Sequence, residues 1–184
     1  MDSQLRETIL DVLSSNRIMT IATNRPDGWP QATIVGYIND GFLLYCFVAH
    51  NSQKLANIGR DPRVSIAIGP DCQAPRQIKA LSLAASTSRV TDQSEFSYVA
   101  ELRLKRYPEL SPEASPAQNG SRLPDIAARP SPADVVLLRM TPEVLSVLDY
   151  SRGFGHSDLV AFSSYDLNVH LNVARHRWDG PSPA

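Results

Sequence analysis

The sequence of 184 residues contains 42% hydrophobic and 20% charged residues, a composition that allows one domain with a substantial buried core. Its formal net charge of −1 excludes a strong overall attraction to nucleic acid or to an anionic membrane surface, so any anion site must be local. The two cysteines form no C-x-x-C pair, and neither a signal-peptide pattern nor an apolar run of about 20 residues occurs, so we expect one cytoplasmic domain over residues 1–184.

An amphipathic helix and two hairpins are predicted at the start of the chain. Apolar residues recur at helical spacing in residues 3–15, which predicts a helix with one buried face. Residues 18–23 predict a strand that reverses direction at Pro26-Asp27-Gly28, because these residue types favour a turn. Two further strands are predicted at 31–38 and 42–48, and the Asn-Asp-Gly sequence between them predicts that they pair through a tight turn.

A short helix is predicted to interrupt this series of strands. Asn51 or Ser52 can cap its first turn, and Gly59 is suited to end it. Two more strands are predicted after it, at residues 63–68 and 78–90. The small helix therefore lies between strands that continue the antiparallel meander.

The second half of the chain predicts another helix, a long loop and two strands. A capping-box-like start predicts a helix over residues 92–107. The segment 111–133 is rich in proline and predicts a long loop without regular structure. Strands are predicted at 134–140 and 144–150, on either side of a turn at Thr141-Pro142. Many short strands with peripheral helices favour a mainly β fold, a closed antiparallel barrel.

The junction between the strand 42–48 and the short helix is suited to bind a phosphate. A helix N-terminus presents backbone N–H groups that have no partner within the helix, and it carries a partial positive charge. Ser52 adds a hydroxyl donor, and Lys54 adds a full positive charge. Spacing alone nevertheless favours an ordinary capped helix with a solvated lysine.

The order of these elements resembles the FMN-binding core of the pyridoxamine 5'-phosphate oxidase family, over about residues 5–92. The resemblance implies a six-stranded antiparallel split β-barrel with peripheral helices. It also implies that Ser52 and Lys54 hold the flavin phosphate. Gln53 stands where the family usually has an arginine, a change that weakens this phosphate contact or shifts it to Arg60 or Arg63.

The resemblance also implies residues for the ring end of the cofactor. Thr33, Ile34 and Val35 match the family strand that runs beside the isoalloxazine ring, and Thr33 stands where the oxidases usually place an arginine. Phe47 and Val48 fall where family members make backbone contacts to the ring and the ribityl chain. Packing in the core is the alternative for each of the apolar residues, because alternation along a strand buries about half of them.

A third matching segment, Arg76-Gln77-Ile78, resembles the Arg-Gln-Val that opens the next strand of the oxidases. In the family this glutamine reaches the flavin of the dimer-related site, which implies a homodimer with FMN at the subunit interface. A solvated polar residue at a strand edge is the alternative for Gln77. Arg76 either helps to balance a phosphate or is a solvated loop charge.

The C-terminal third matches the oxidases less well. Gly153 and Gly155 predict a tight turn, beside which His156 is expected to cap a backbone carbonyl rather than to bind a ligand. Arg175-His176-Arg177-Trp178 forms a basic and aromatic cluster near the end, which is expected to be a solvated tail. We find no C-terminal Arg-x-His of the kind that the oxidases use on the substrate phosphate, which argues against oxidation of pyridoxine phosphate.

Three functions remain open on the sequence. The first is an FMN-dependent oxidoreductase acting on a small molecule, in which the cofactor rather than a protein nucleophile performs the chemistry, so no catalytic residue is assigned. The second keeps the fold with a deazaflavin or haem, and haem would take His50, His156 or His170 as an axial ligand. The third is a flavin carrier without catalysis.

Overall fold

The computed structural model describes residues 3–70, 74–111, 130–162 and 171–174. Most of the proline-rich segment 111–133 and the whole basic and aromatic cluster near the C-terminus lie outside these ranges, so their predictions stay untested. The described ranges form three α-helices and nine β-strands. The helices are α1 (Ser3–Ser15), α2 (Gln53–Arg60) and α3 (Gln93–Arg106). The strands are β1 (Ile18–Asn24), β2 (Pro30–Gly36), β3 (Ile38–Asp40), β4 (Leu43–Ala49), β5 (Arg63–Ile68), β6 (Lys79–Arg89), β7 (Val135–Asp149), β8 (Ser157–Phe162) and β9 (Leu171–Ala174).

All nine strands belong to one antiparallel sheet, with the order β2-β1-β5-β6-β7-β4-β3. Strand β7 pairs with β6 along most of its length, from Leu138 to Asp149, while on its other edge the first part, Val135–Met140, pairs with β4. The last part of the same edge, Val144–Leu148, pairs with β8, which in turn pairs with β9. The sheet therefore divides at the middle of β7, which confirms the mainly β split-barrel fold, with nine strands in place of the six expected.

Strand β7 is continuous, so the prediction of two strands joined by a turn at Thr141-Pro142 was wrong. Pro142 lies opposite Ala85, and Val144 lies opposite Ala84, so Glu143 is an extra residue in the ladder. Such a bulge absorbs a proline, which lacks the N–H group that a regular ladder position uses. Pairing with β6 keeps the strand extended through a sequence that locally favours a turn.

The predicted strand 31–38 is divided at Tyr37. Its first part, β2, pairs with β1, and only β3 forms the predicted hairpin with β4, around Gly41 at a φ of 57°. The Tyr37 side chain is fully buried, and its hydroxyl donates to the carbonyl of Leu13 at 2.8 Å. Burial raises the pKa of Tyr37 to about 12, so this hydroxyl stays protonated and keeps its donor role. The interior contact therefore ends the strand pairing here.

Two apolar clusters lie on opposite sides of β4. Helix α1 packs its predicted stripe, Leu5, Ile9, Val12 and Leu13, into the larger cluster inside the curled sheet. Helix α3 packs Phe96 and Val99 into a smaller cluster on the other side. Because successive side chains of a strand point to opposite faces, β4 contributes residues to both clusters.

Candidate cofactor site

Ser52 caps helix α2, as predicted. Its backbone is extended, at φ −75° and ψ 139°, and its Oγ accepts a hydrogen bond from the N–H of Leu55 at 3.4 Å. The N–H groups of Gln53 and Lys54, the first two of the helix, have no acceptor among the described residues, so the start of α2 keeps two free backbone donors. Only three residues separate it from the end of β4, which fixes the start of α2 at the end of that strand.

Lys54 supplies a positive charge at this helix start. The residue is half-buried, and it forms no salt bridge or hydrogen bond with any residue of the described ranges. Its field acts on the buried thiol of Cys46 on β4, where it opposes the rise that burial causes in the pKa of Cys46. An unpaired ammonium group beside a helix N-terminus attracts an anion, since the dipole and the charge act in the same direction.

Gln53 belongs to a buried amide network that the sequence did not indicate. Its Nε2 donates to Oδ1 of Asn57 at 2.9 Å. The Nδ2 of Asn57 donates to Oγ1 of Thr23 and to Oε1 of Gln31, both at 3.0 Å. Asn57 is 1% exposed, so these bonds satisfy a polar group that would otherwise be buried without partners. The network ties α2 to β1 and β2.

Neither Arg60 nor Arg63, the two arginines considered as replacements for the family arginine, lies at the start of α2. Arg60 is the last residue of the helix, about 10 Å along the axis from its first turn. Arg63 donates through Nε and Nη2 to the carboxylate of Asp61, both at 2.8 Å. These bonds hold the pKa of Asp61 far below its usual range, and they commit the Arg63 guanidinium to a surface ion pair.

The ring-end residues predicted on β2 alternate between the two faces of the sheet. Thr33 and Val35 are half-buried, and Val35 packs against the larger core, whereas Ile34 is 69% exposed. The Thr33 Oγ1 is buried and has no hydrogen-bond partner among the described residues. An unsatisfied buried hydroxyl costs about 1–3 kcal/mol, so it marks a position where a polar ligand group would be stabilised.

Phe47 and Val48 place their side chains in different clusters. Val48 is buried in the larger core, while Phe47 packs edge-on against Phe96 of α3, with ring centroids 5.7 Å apart. Their backbones pair with β7 on one edge. On the opposite edge β3 pairs only with Leu43 to Tyr45, and β2 lies near β4 without forming a ladder with it. Among the described residues, the outer edge of β2 and the edge of β4 from Cys46 to Ala49 therefore carry no paired strand.

Gln77 lies at the other end of the sheet. It is an exposed residue in a single 3₁₀ turn, Pro75–Gln77, just before β6 begins opposite Asp149 at the end of β7. The start of α2 follows β4, whose last residue pairs with Val135 at the beginning of β7. The structure brings Ser52, Gln53 and Lys54 together, but it does not bring Gln77 to them within one chain.

Two of the histidines considered as haem ligands lie in the described ranges. His50 is exposed, and its Nε2 is 3.2 Å from the carbonyl oxygen of Pro132. His156 contacts a carboxylate, Oδ2 of Asp158 at 3.2 Å, so the expected backbone carbonyl was the wrong partner. Arg152 donates to the same Asp158 oxygen at 2.9 Å. His156 is therefore part of an ion-pair cluster, and His170 lies outside the described residues.

Two clefts bring together residues whose proximity the sequence did not indicate. A polar cavity of about 250 Å³ lies between the start of α1, the end of β7 and the start of β8, and Lys79, Asp149 and Arg152 line it. A second cleft, of about 440 Å³, lies beside the start of α2 and is lined by Arg25, Pro26, Asp27, Gln31 and Gln53. Residues of each cleft come from distant parts of the chain, so no local sequence pattern could reveal them.

The described part of the chain contains no cluster of three or more His, Cys, Asp or Glu side chains that could hold a metal ion. None of its helices combines the length and the apolar character needed to cross a membrane. The groups gathered at the start of α2 are hydrogen-bond donors and a cation instead. Their chemistry suits a phosphorylated organic ligand.

Cys46 is expected to resist thiol reagents in the folded protein. The residue is fully buried, and burial raises the pKa of its thiol to about 12, so the reactive thiolate is scarce. In a Cys72→Ser variant, which leaves Cys46 as the single thiol, labelling by a water-soluble disulfide reagent should be at least about 100-fold slower than in denaturant. Fast labelling of the folded variant would show that β4 opens readily.

Comparison with known proteins identifies the family. The family described as Pyridoxamine 5'-phosphate oxidase matches residues 5–148, which is most of the chain. The chain belongs to this family. General stress protein 26 of Bacillus subtilis (strain 168) is 28% identical over 69 residues, which are 38% of this chain and 49% of that protein. The chain thus spans about half the length of this curated relative.

Solved structures support the same fold. A structure from Listeria innocua that is named for the same family has a TM-score of 0.57 at 21% identity, and the match covers 79% of this chain and 98% of that one. A heme binding protein from Mycobacterium smegmatis has a TM-score of 0.65 at 19% identity, covering 85% of this chain and 57% of that one. At these identities the likeness concerns the fold.

Proposed function

We propose that this member of the family binds FMN and acts as a flavin-dependent oxidoreductase on a small molecule. The observation that carries the proposal is that the Ser52-capped start of α2 lies beside the ammonium group of Lys54, which has no ionic partner in the described ranges. Both groups favour a doubly charged phosphate, and their attractions add. Ser52, Gln53 through its backbone N–H, and Lys54 would hold the phosphate end.

The residues at the ring end also fit a flavin. The buried Thr33 hydroxyl is without a partner in the described ranges, and the open edges of β2 and β4 offer further backbone donors and acceptors. The polar edge of an isoalloxazine ring needs such groups. Backbone groups of Thr33, Ile34 and Val35 on one side, and of Phe47 and Val48 on the other, would orient the ring.

When bound, FMN supplies the hydride or electron transfer of the reaction. The chain's own residues bind the phosphate, orient the ring and exclude water from its buried edge. Thr33 would place a hydroxyl donor against a polar atom of the ring. Side chains above the exposed face of the ring would then select the substrate.

We further propose that the functional unit is a homodimer. Two rows of side chains cross six strands on the face of the sheet opposite to the core, and neither contains a charge. The first row is Ile34, Thr20, Ala67, Ser82, Ser146 and Leu159. The second row is Ala32, Ala22, Ser65, Ala84, Val144 and Ala161. A broad and uncharged surface of this kind is suited to a second copy of the chain.

A Ser82→Glu variant tests the dimer. Ser82 is exposed at the centre of the first row, so a carboxylate there would be buried without a partner in the interface. We expect the dissociation constant of the dimer to rise at least about tenfold, as measured by light scattering across a dilution series. Ser97→Glu, on the exposed side of α3, introduces the same charge and should leave the dimer unchanged. Equal behaviour of the two variants would place the interface elsewhere.

Haem is a second candidate ligand, because the structural relative from Mycobacterium smegmatis is a heme binding protein. His50 is the favoured axial ligand, since its ring is exposed three residues before α2 begins. Parallel titrations with haem and FMN separate the two candidates. A Soret band that disappears in His50→Ala would favour haem.

The proposed function is tested by native mass spectrometry of the purified protein, followed by FMN titration with flavin fluorescence as the signal. We expect one FMN per chain and two chains per particle. Release of a deazaflavin from the protein would replace FMN as the assigned cofactor and leave the proposed phosphate site in place, because a deazaflavin also carries a phosphate. A protein that neither carries nor takes up FMN contradicts the proposal. Rapid reduction of bound FMN by NADH or NADPH would exclude a simple carrier.

A further inference from the structure

The cleft beside the start of α2 contains one cation among the described residues that line it. Arg25 lies in the turn between β1 and β2, while Gln31 comes from β2 and Gln53 is the first residue of α2. Gln53 directly follows the helix cap, so the cleft opens next to the group of atoms proposed to hold the phosphate. It therefore extends that site toward the tip of the first hairpin.

The guanidinium of Arg25 is held in place but keeps donors to spare. Its Nη2 donates to Oδ2 of Asp27 at 2.5 Å, and no other hydrogen bond joins this guanidinium to a residue of the described ranges. The other carboxylate oxygen of Asp27 accepts the N–H of Trp29 at 3.2 Å. Asp27 is thus occupied in shaping the turn. Arg25 retains most of its five N–H groups, in the planar arrangement that matches a phosphate.

Gln53 does not replace the charge of the arginine that the family usually has at this position. Its side-chain amide is neutral and is engaged with Asn57 in the buried network, so it adds no charge at the helix start. The other nearby candidates are also excluded, since Arg63 binds Asp61 and Arg60 ends the helix. A second cation for the phosphate, besides Lys54, would then come from another element, and Arg25 is the cation among the described residues that lines the cleft together with Gln53.

We infer that Arg25 is a specificity residue that recognises the phosphate end of the flavin across this cleft. The inference rests on the proposed function. Lys54 acts from the helix as a point charge, while Arg25 offers paired N–H donors from the turn between β1 and β2. Arg25 makes no contribution to the ring end, so it distinguishes FMN from riboflavin, which lacks the phosphate.

Titrations of FMN and riboflavin against the full-length protein test this role. Arg25→Gln should weaken FMN binding about tenfold and change riboflavin binding less than about twofold. Arg25→Lys keeps the charge but loses the planar donors, so an intermediate loss is expected. Asp27→Asn removes the competing carboxylate, and it should tighten FMN binding about two- to threefold. Arg63→Gln is the matched control, since it removes one positive charge from the same end of the molecule outside the cleft.

The outcomes separate this inference from the proposed function. If Lys54→Gln weakens FMN binding but Arg25→Gln behaves like Arg63→Gln, the phosphate site stands and the role of Arg25 is refuted. Equal losses for FMN and riboflavin in Arg25→Gln would also refute it, because the effect would then not involve the phosphate. If the wild-type protein binds no FMN, the proposed function fails and this inference fails with it. Circular dichroism of each variant confirms that the fold is retained.

Discussion

A Lys54→Gln variant is expected to bind FMN about 30- to 100-fold more weakly than the wild-type protein. Lys54 is half-buried beside the capped start of α2 and has no ionic partner in the described ranges, so its charge is available to a ligand. A charge-assisted hydrogen bond to a phosphate contributes about 2–3 kcal/mol, and each 1.4 kcal/mol corresponds to about a tenfold change in affinity. Glutamine keeps the length of the side chain and removes the charge.

Riboflavin and a second lysine provide the controls for this prediction. Riboflavin binding should be almost unchanged in Lys54→Gln, because the lost interaction involves only the phosphate. Lys105→Gln removes the same charge from the exposed side of α3 and should bind FMN like the wild type. The affinity of the wild-type protein for FMN should also fall as salt is added, because salt screens the long-range part of the attraction between Lys54 and the phosphate. An unchanged FMN affinity in Lys54→Gln would leave the helix start without a ligand-binding role.

An Arg106→Met variant is expected to lower the free energy of unfolding by about 3 kcal/mol. The guanidinium reaches from α3 to the C-terminal end of α1, where it donates to the carbonyls of Leu13 at 2.7 Å and Ser14 at 3.0 Å. It also lies over the rings of Tyr37 and Tyr107, at 5.4 and 5.8 Å from their centroids. Without it, the last carbonyls of α1 lose a cationic partner that favours that end of the helix dipole.

Chemical and thermal denaturation measure this effect. In a chain of this size the loss corresponds to a fall of about 6–12 °C in the melting temperature. Arg106→Lys should recover about half of it, because an ammonium group reaches fewer of the carbonyls. Lys105→Met, at the neighbouring exposed position, should stay within about 0.5 kcal/mol of the wild type. If Arg106→Met also lowered the free energy of unfolding by less than about 0.5 kcal/mol, α1 would be held by its apolar stripe alone.

The sequence predicted the local elements well, and the reason is physical. The buried stripe of α1 and the caps of α2 and α3 depend on residues within one or two helical turns, so their signals lie side by side in the chain. The turn around Gly28, with φ at 85°, is encoded in the same local way. The order of these elements resembles that of the pyridoxamine 5'-phosphate oxidase family, and the match of the family over residues 5–148 confirms that prediction.

The side-chain partners could not be predicted in the same way. Arg63 was a candidate for the phosphate, but Asp61 two residues earlier occupies it. His156 was expected to meet a carbonyl, and it meets Asp158 together with Arg152. Whether such a residue binds a neighbour or a ligand depends on which groups the fold brings within about 3 Å, and composition and spacing do not report that distance.

The sequence by itself therefore determined the helices, the turns at Gly28 and Gly41, the family and the position of a capped helix that could face a phosphate. Only the tertiary structure decided that β7 runs unbroken past Pro142, because a partner strand with a bulge stabilises what local propensity opposes. It also decided that Tyr37 ends β2 and that Asn57 links α2 to two strands. These outcomes depend on contacts between residues far apart in the chain, whose free energies exist only once the elements have packed together.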